Sequence, residues 1–180
     1  MKKIGLIVGS LRKESYSLMI AKYLLKELDK NNEVSIIEIK DLPLYNEDID
    51  TKENEPKAYK DFRNKVKNSD AFIIISPEYN RGIPGALKNA LDVGSRPYGE
   101  SAFNNKKCAI ITQSPGLIGG FAAASQLRQV LAILNMPTLL LPEVYLSNIY
   151  LVFDKEGKIS DLKVKKILND FMSAYINFIK

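Results

Sequence analysis

Two polar segments carry the residue types of a binding site. The first, Gly9-Ser10-Leu11-Arg12-Lys13-Glu14-Ser15-Tyr16-Ser17, follows the apolar run Ile4–Val8 and precedes a helical pattern. Free backbone N–H groups and the helix dipole favour an anion at such a place, and the planar fork of Arg12 suits phosphate. Ser10, Ser15 and Ser17 add hydroxyl donors, so the segment reads as a phosphate cradle. Helix capping by Ser15 or Ser17 is the structural alternative, and capping and phosphate binding are compatible. The second segment, Ser76-Pro77-Glu78-Tyr79-Asn80-Arg81-Gly82-Ile83-Pro84-Gly85, follows the apolar run Ala71–Ile75. Pro77 and Pro84 fix φ, Pro84 suits the first turn of a helix, and Gly82 and Gly85 permit close backbone approach. So stiff a loop loses little entropy on ordering around a ligand. By composition alone it is equally a strand-to-helix turn.

The inventory removes several chemistries. The chain has no histidine and one cysteine, Cys108, which excludes disulfide frameworks, zinc sites built on Cys and His, and Ser-His-Asp triads. Cys108 opens the apolar run Cys108–Thr112 and reads as a small core residue. No residue is assigned to a metal. The first segment has neither the G-x-x-x-x-G-K-[ST] of a P-loop nor the G-x-G-x-x-G of a dinucleotide site, which disfavours ATP or NAD as the tightly held ligand. The net charge of +5 comes from lysines interspersed with Asp and Glu. No basic stripe with interleaved aromatics is present, so nucleic acid is not expected, and the surplus suits anionic small molecules. No apolar run approaches the roughly 20 residues of a membrane span. A cytoplasmic protein without membrane insertion is the expectation.

These loops need a scaffold, and the rest of the chain describes one. Apolar runs at Ile4–Val8, Val34–Ile39, Ala71–Ile75, Cys108–Thr112 and Thr138–Leu141 predict five strands. Helical periods lie between and after them: Leu18, Ala21, Leu25 and Leu28; Ala124, Leu127, Leu131 and Leu134; and Val164, Ile167, Phe171, Ala174 and Phe178. Strand–helix alternation implies right-handed crossovers and a parallel sheet covered on both faces. Val34–Ile39 carries polar residues and reads as an edge strand, which leads to strand order 2-1-3-4-5 in one domain spanning residues 1–180. Ligands then sit beyond the carboxyl ends of the first and third strands, where both loops emerge. Asp41–Pro56 reads as a flexible rim, Tyr145–Lys158 fits no element, and Ser160 is the expected cap of the last helix.

Taken together, Gly9-Ser10-Leu11-Arg12 with Ser15, and Pro77-Glu78-Tyr79-Asn80 followed by Pro84-Gly85 and Lys88-Asn89-Ala90-Leu91-Asp92, resemble the NADPH-dependent FMN reductases. That family includes bacterial quinone, azo-dye and chromate reductases. Gly116 and Gly119-Gly120 leading to Gln126-Leu127-Arg128 form a third matching element.

The resemblance implies a flavodoxin-like three-layer α/β sandwich and non-covalent FMN. The phosphate is expected on Ser10, Arg12, Ser15, Tyr16 and Ser17. Pro77, Glu78, Tyr79 and Asn80 are expected to border the isoalloxazine ring, with Ser114 and Gly116 completing its edge. No side chain is assigned as catalytic, because the hydride chemistry belongs to the flavin. The implied reaction passes hydride from NADPH or NADH through flavin N5 to a quinone, azo, nitro, flavin or metal-ion acceptor by ping-pong kinetics. A homodimer or homotetramer is implied, with the helix around Ala86–Val93 as a candidate contact. The chain departs from the family pattern at Ser17 for Asn, at Val93 for Trp after Asp92, and at Ala122-Ala123 for Arg-Ala. The rival reading is a flavodoxin-like electron carrier docking on redox partners. Such carriers are usually acidic, whereas this chain is net basic.

For the other polar residues of these elements, structural roles compete with functional ones. Glu78 either tunes a flavin or bonds neighbouring N–H groups. Arg81 either attracts a nucleotide phosphate or faces solvent. Tyr45 either covers a substrate or lies on the surface, and Lys88, Asn89 and Asp92 read as structural or interfacial.

Overall fold

The computed structural model describes residues 1–28 and 30–180. Its central strand explains the rest. Ala71–Pro77 (β3) is buried along all 7 residues, as a strand covered on both faces must be. Lys3–Val8 (β1) and Lys107–Gln113 (β4) flank it, Glu33–Ile37 (β2) forms one edge, and Val144–Leu146 (β5) the other. The sheet is parallel throughout in the order β2-β1-β3-β4-β5, and the predicted edge position of the second strand holds.

Side chains alternate between two cores. Ile4, Leu6, Ile73, Ile75 and Ile111 face Tyr16–Leu28 (α1) and Leu162–Ile179 (α5). Ile7, Phe72, Ile74 and Ile110 face Lys57–Lys67 (α2), Gly85–Gly94 (α3) and Phe121–Ile133 (α4). Gly5 makes room for Phe72, since a Cβ there would stand 2.8 Å from the ring. Cys108 lies in the second core, where burial pushes its thiol pKa up and leaves it protonated and inert.

The fifth strand is not at Thr138–Leu141. Only Thr138 bridges to Cys108; the chain then swings outward with Leu140 and Leu141 exposed, and pairing resumes at β5 opposite Ile111–Gln113. Pro137 and Pro142 flank that apolar run and have no N–H to give a ladder. The buried face of α5 also differs: Val164 and Phe171 are buried as expected, but with Leu168, Met172, Tyr175 and Ile179, while Ile167 is exposed. Its cap is Asp161 rather than Ser160. The Asp161 carboxylate accepts from the amides of Lys163 (2.8 Å) and Val164 (3.2 Å), whereas the Ser160 hydroxyl donates to Val152 O.

The rim at Asp41–Pro56 is braced. Arg63 on α2 donates to both Asp50 oxygens (2.7 and 2.6 Å), to Glu55 Oε1 (2.8 Å) and to Val93 O (2.9 Å). Asn89 on α3 accepts from the Tyr45 amide and donates to Pro43 O, both at 2.8 Å, which gives Asn89 a structural role. Tyr45 itself is half-buried against Tyr59 beneath Arg96.

Candidate flavin site

Parallel pairing brings the two predicted loops together. Val8 lies opposite Ile75 in the sheet, so the chains leave β1 and β3 side by side. Gly9 N donates to Ile75 O at 2.8 Å, and a Cβ on Gly9 would stand 3.0 Å from Ser76 Oγ and from Leu87. That approach is why glycine opens the first loop.

Along this loop Ser15 caps α1. It is buried, its Oγ accepts from the Leu18 amide at 3.2 Å, and its own N–H donates to Arg12 O. Ser10 Oγ accepts from the Arg12 amide at 3.4 Å. Among the described residues, the amides of Ser10, Leu11, Lys13, Glu14, Tyr16 and Ser17 find no acceptor. The Arg12 guanidinium lies 5.6 Å above the ring of Tyr16, which stacks in turn on Phe153. Several free N–H groups at a helix N-terminus, beside an exposed guanidinium that among the described residues has no ion pair, form a donor set that fits a phosphomonoester. Ser17 is fully buried, and its hydroxyl accepts from Gln113 Nε2 at 3.1 Å. Its side chain therefore ties α1 to β4, and its backbone N–H belongs to the donor set.

The second loop is a tight hairpin. Tyr79 and Gly82 exchange backbone hydrogen bonds of 2.9 and 3.0 Å around Asn80 (φ 50°) and Arg81 (φ 66°). Two positive φ values in a two-residue turn are the type I′ pattern, and they are costly for residues other than glycine. Such strain persists where the surroundings overdetermine it. Here Ile83 N donates to Gln126 Oε1 (2.7 Å), and the missing Cβ of Gly82 leaves space for that same oxygen. Pro84 stands at the N-cap of α3, one residue before its first turn, while Gly85 has open space around it.

Glu78 takes the structural alternative with its side chain. Oε2 accepts from the amides of Ala122 (2.9 Å) and Ala123 (3.1 Å), the first turn of α4, and Oε1 lies 3.5 Å from Arg81. A carboxylate suits both the free amides and the dipole there. Arg81 is otherwise solvent-facing. The Ala122-Ala123 pair that departs from the family pattern thus receives its anchor through backbone atoms, and Val93 is fully buried in the second core.

The third loop follows β4. Ser114 Oγ donates to Gly116 O (3.2 Å), and the backbone of 114 and 116 is tied to Leu146, Asn148 and Ile149. Gly119 (φ 64°) and Gly120 (φ 86°) are required: a Cβ would lie 2.6 Å from Tyr145 C in one case and 2.9 Å from Thr112 Cβ in the other. Leu117, Ile118 and Phe121 are exposed on this loop, as is Tyr79 on the hairpin. Gln113 was not foreseen as a positioning residue; a polar side chain closing a buried apolar strand was the available signal.

Three loops at the switch point of a 2-1-3-4-5 parallel sheet, one of them with a donor set that fits an anion, are the arrangement of a flavodoxin-like nucleotide-binding fold. Residues 2–150 match the model of the NADPH-dependent FMN reductase family, and the chain belongs to it. It is similar to a quinone reductase of Pseudomonas putida, 45% identical over 98% of this chain and 94% of the relative. It is also similar to a 2-hydroxy-1,4-benzoquinone reductase of a Burkholderia species, 36% identical over 99% and 96%. FerB, a flavoenzyme NAD(P)H:(acceptor) oxidoreductase from Paracoccus denitrificans, superposes with a TM-score of 0.91 at 34% identity, covering 99% of this chain and 97% of that one. The protein is an oxidoreductase that uses FMN and NAD(P)H.

Proposed function

We propose that this chain reduces quinones with electrons from NADPH or NADH, using FMN held at the three loops. The observation that carries the reading is the amide cradle beside Arg12, on a loop that leaves the sheet next to the strand carrying a hairpin locked in positive φ. FMN held there would supply the two-electron redox chemistry linking the pyridine nucleotide to an acceptor that follows it, which is the basis of the proposed ping-pong kinetics. The protein's part is to bind and orient. Ser10, Arg12, Ser15, Tyr16 and Ser17 hold the phosphate, mainly through amides and the guanidinium. Pro77, Glu78, Tyr79 and Asn80, with Ser114 and Gly116, border the ring, and rigid backbone N–H groups answer charge developing there without histidine. Tyr79, Leu117, Ile118 and Phe121 surround these loops with exposed apolar surface, which suits a planar apolar acceptor. The Pseudomonas and Burkholderia relatives are named for quinones, which favours that class over azo, nitro, flavin or metal-ion acceptors.

The absorption spectrum of the purified or FMN-reconstituted protein, followed by anaerobic titration with each nucleotide and then a quinone, tests this. Bleaching by nucleotide and recolouring by quinone are expected. Failure to take up FMN would remove the flavin site, and persistent yellow colour under both nucleotides would point to an electron carrier. The cytoplasm, where reduced pyridine nucleotides are available, is the proposed compartment. A homodimer or homotetramer is the proposed assembly. The helix around Ala86–Val93 spends Leu87, Ala90, Leu91 and Val93 in its own core, so its outer face offers Ala86, Lys88 and Asp92 instead. Among the described residues, no helix is long and apolar enough to cross a membrane.

A further inference from the structure

On the outer side of the phosphate cradle, between it and the carboxyl end of β2, lies a cavity of about 220 Å³. Leu11, Leu18, Ile36 and Ile39 give it apolar walls. Arg12, Lys13, Lys40 and Glu38 stand around it, and among the described residues none of these four takes part in an ion pair. Ser10 and Arg12 line the cavity and also belong to the cradle, so a phosphate held there has this space as its neighbour.

Size and chemistry narrow the occupant. Whole-ligand sites measure roughly 300–1,000 Å³, so this one suits a single arm of a larger molecule. Three cations beside the cradle suit a further phosphate. Apolar walls suit a flat heterocycle. Glu38 directly follows β2, and in doubly wound dinucleotide folds a carboxylate downstream of the phosphate loop accepts from the ribose 2′-hydroxyl.

We infer that this cavity receives the adenosine 5′-phosphate arm of a dinucleotide, with Glu38 accepting from the ribose and Lys13 and Lys40 drawing the phosphate. The inference rests on the cradle holding the flavin phosphate. Two sources carry this arm. FAD presents it as a direct extension of the flavin phosphate; NADH or NADPH presents it as the distant half of a second ligand. If the pyridine nucleotide is the source, Glu38 repels a 2′-phosphate, so NADH is preferred.

Calorimetric titration separates these cases. The apo-protein is titrated with FMN and with FAD, and the FMN-loaded protein with NAD⁺ and NADP⁺, which cannot pass hydride. Each titration is repeated on Glu38→Ala and Lys40→Glu, both at exposed positions. FMN affinity is expected to stay within twofold in all three proteins, which also reports intact folding. Lys40→Glu is expected to weaken either FAD or the pyridine nucleotides at least tenfold, and whichever weakens identifies the source. Glu38→Ala is expected to weaken the same ligand severalfold and, for the pyridine nucleotides, to narrow the preference for NAD⁺. Changes within twofold for FAD, NAD⁺ and NADP⁺ in both variants would overturn the inference. A parent protein that binds no FMN would overturn the flavin site itself, and the arm's anchor with it.

Discussion

Arg12 and Glu78 are both charged residues on site loops, and the structure gives them opposite work. Arg12 is exposed and stacked on Tyr16, and among the described residues it has no ion pair, so its charge is available to a ligand. Replacing it with alanine removes a charge-assisted bond of about 1.5–3 kcal/mol. Arg12→Ala is expected to weaken FMN at least tenfold, measured by flavin fluorescence quenching, with little change in the Tm of the apo-protein; unchanged affinity would remove Arg12 from the cradle. Glu78 instead caps α4 from a loop 44 residues away. Glu78→Ala strands two amides and is expected to cost about 1.5–3 kcal/mol, or roughly 3–12 °C in Tm by thermal unfolding. The sequence showed each residue as chemically capable. It left Glu78 open because a carboxylate's partner across 44 residues is not a local property.

Between these residues and the fold stand elements that hold the loops still. The rim at Asp41–Pro56 was legible as long and polar, and those traits suggested flexibility. Arg63, buried at 5% side-chain exposure, ties Asp50 and Glu55 to α2 and to Val93 O. Its position in a helix with basic and acidic neighbours gave no hint of burial. Arg63→Ala leaves two carboxylates without their cation, one of them buried, and is expected to destabilise by about 3–5 kcal/mol in urea unfolding. The fifth strand and the buried face of α5 differ from the sequence expectation for a related reason. Both Thr138–Leu141 and Val144–Leu146 are apolar, and α5 has apolar residues around much of its circumference. Composition then allows more than one register, and packing against β4 selects one.

For the whole molecule, ligand and fold are thermodynamically linked. Ser10–Ser17 carries both the candidate cradle and the start of α1, so a ligand held there would bind only the folded chain. At FMN one hundred times its Kd, stabilisation is expected to be about 2.7 kcal/mol. Stripping the flavin should lower Tm by roughly 5–11 °C for a chain of this size, and re-addition should restore it. A Tm insensitive to FMN would mean the loops are not its site.

The order of strands was legible in the sequence alone, as were two candidate loops and an anion-favouring donor set in the first; the flavin entered through the family resemblance those loops carry. Alternating apolar runs, proline and glycine spacing, and helix-terminal serines act over a few residues, and their physics is local. What only the tertiary structure decided was the use of each polar group: Ser17 bonded to Gln113, Glu78 to α4, Gln126 to the hairpin, and Glu38 set at the wall of a cavity. Those outcomes depend on which distant donors and acceptors the folded sheet brings within 3 Å. That is a property of the assembled layers and is written in no single segment.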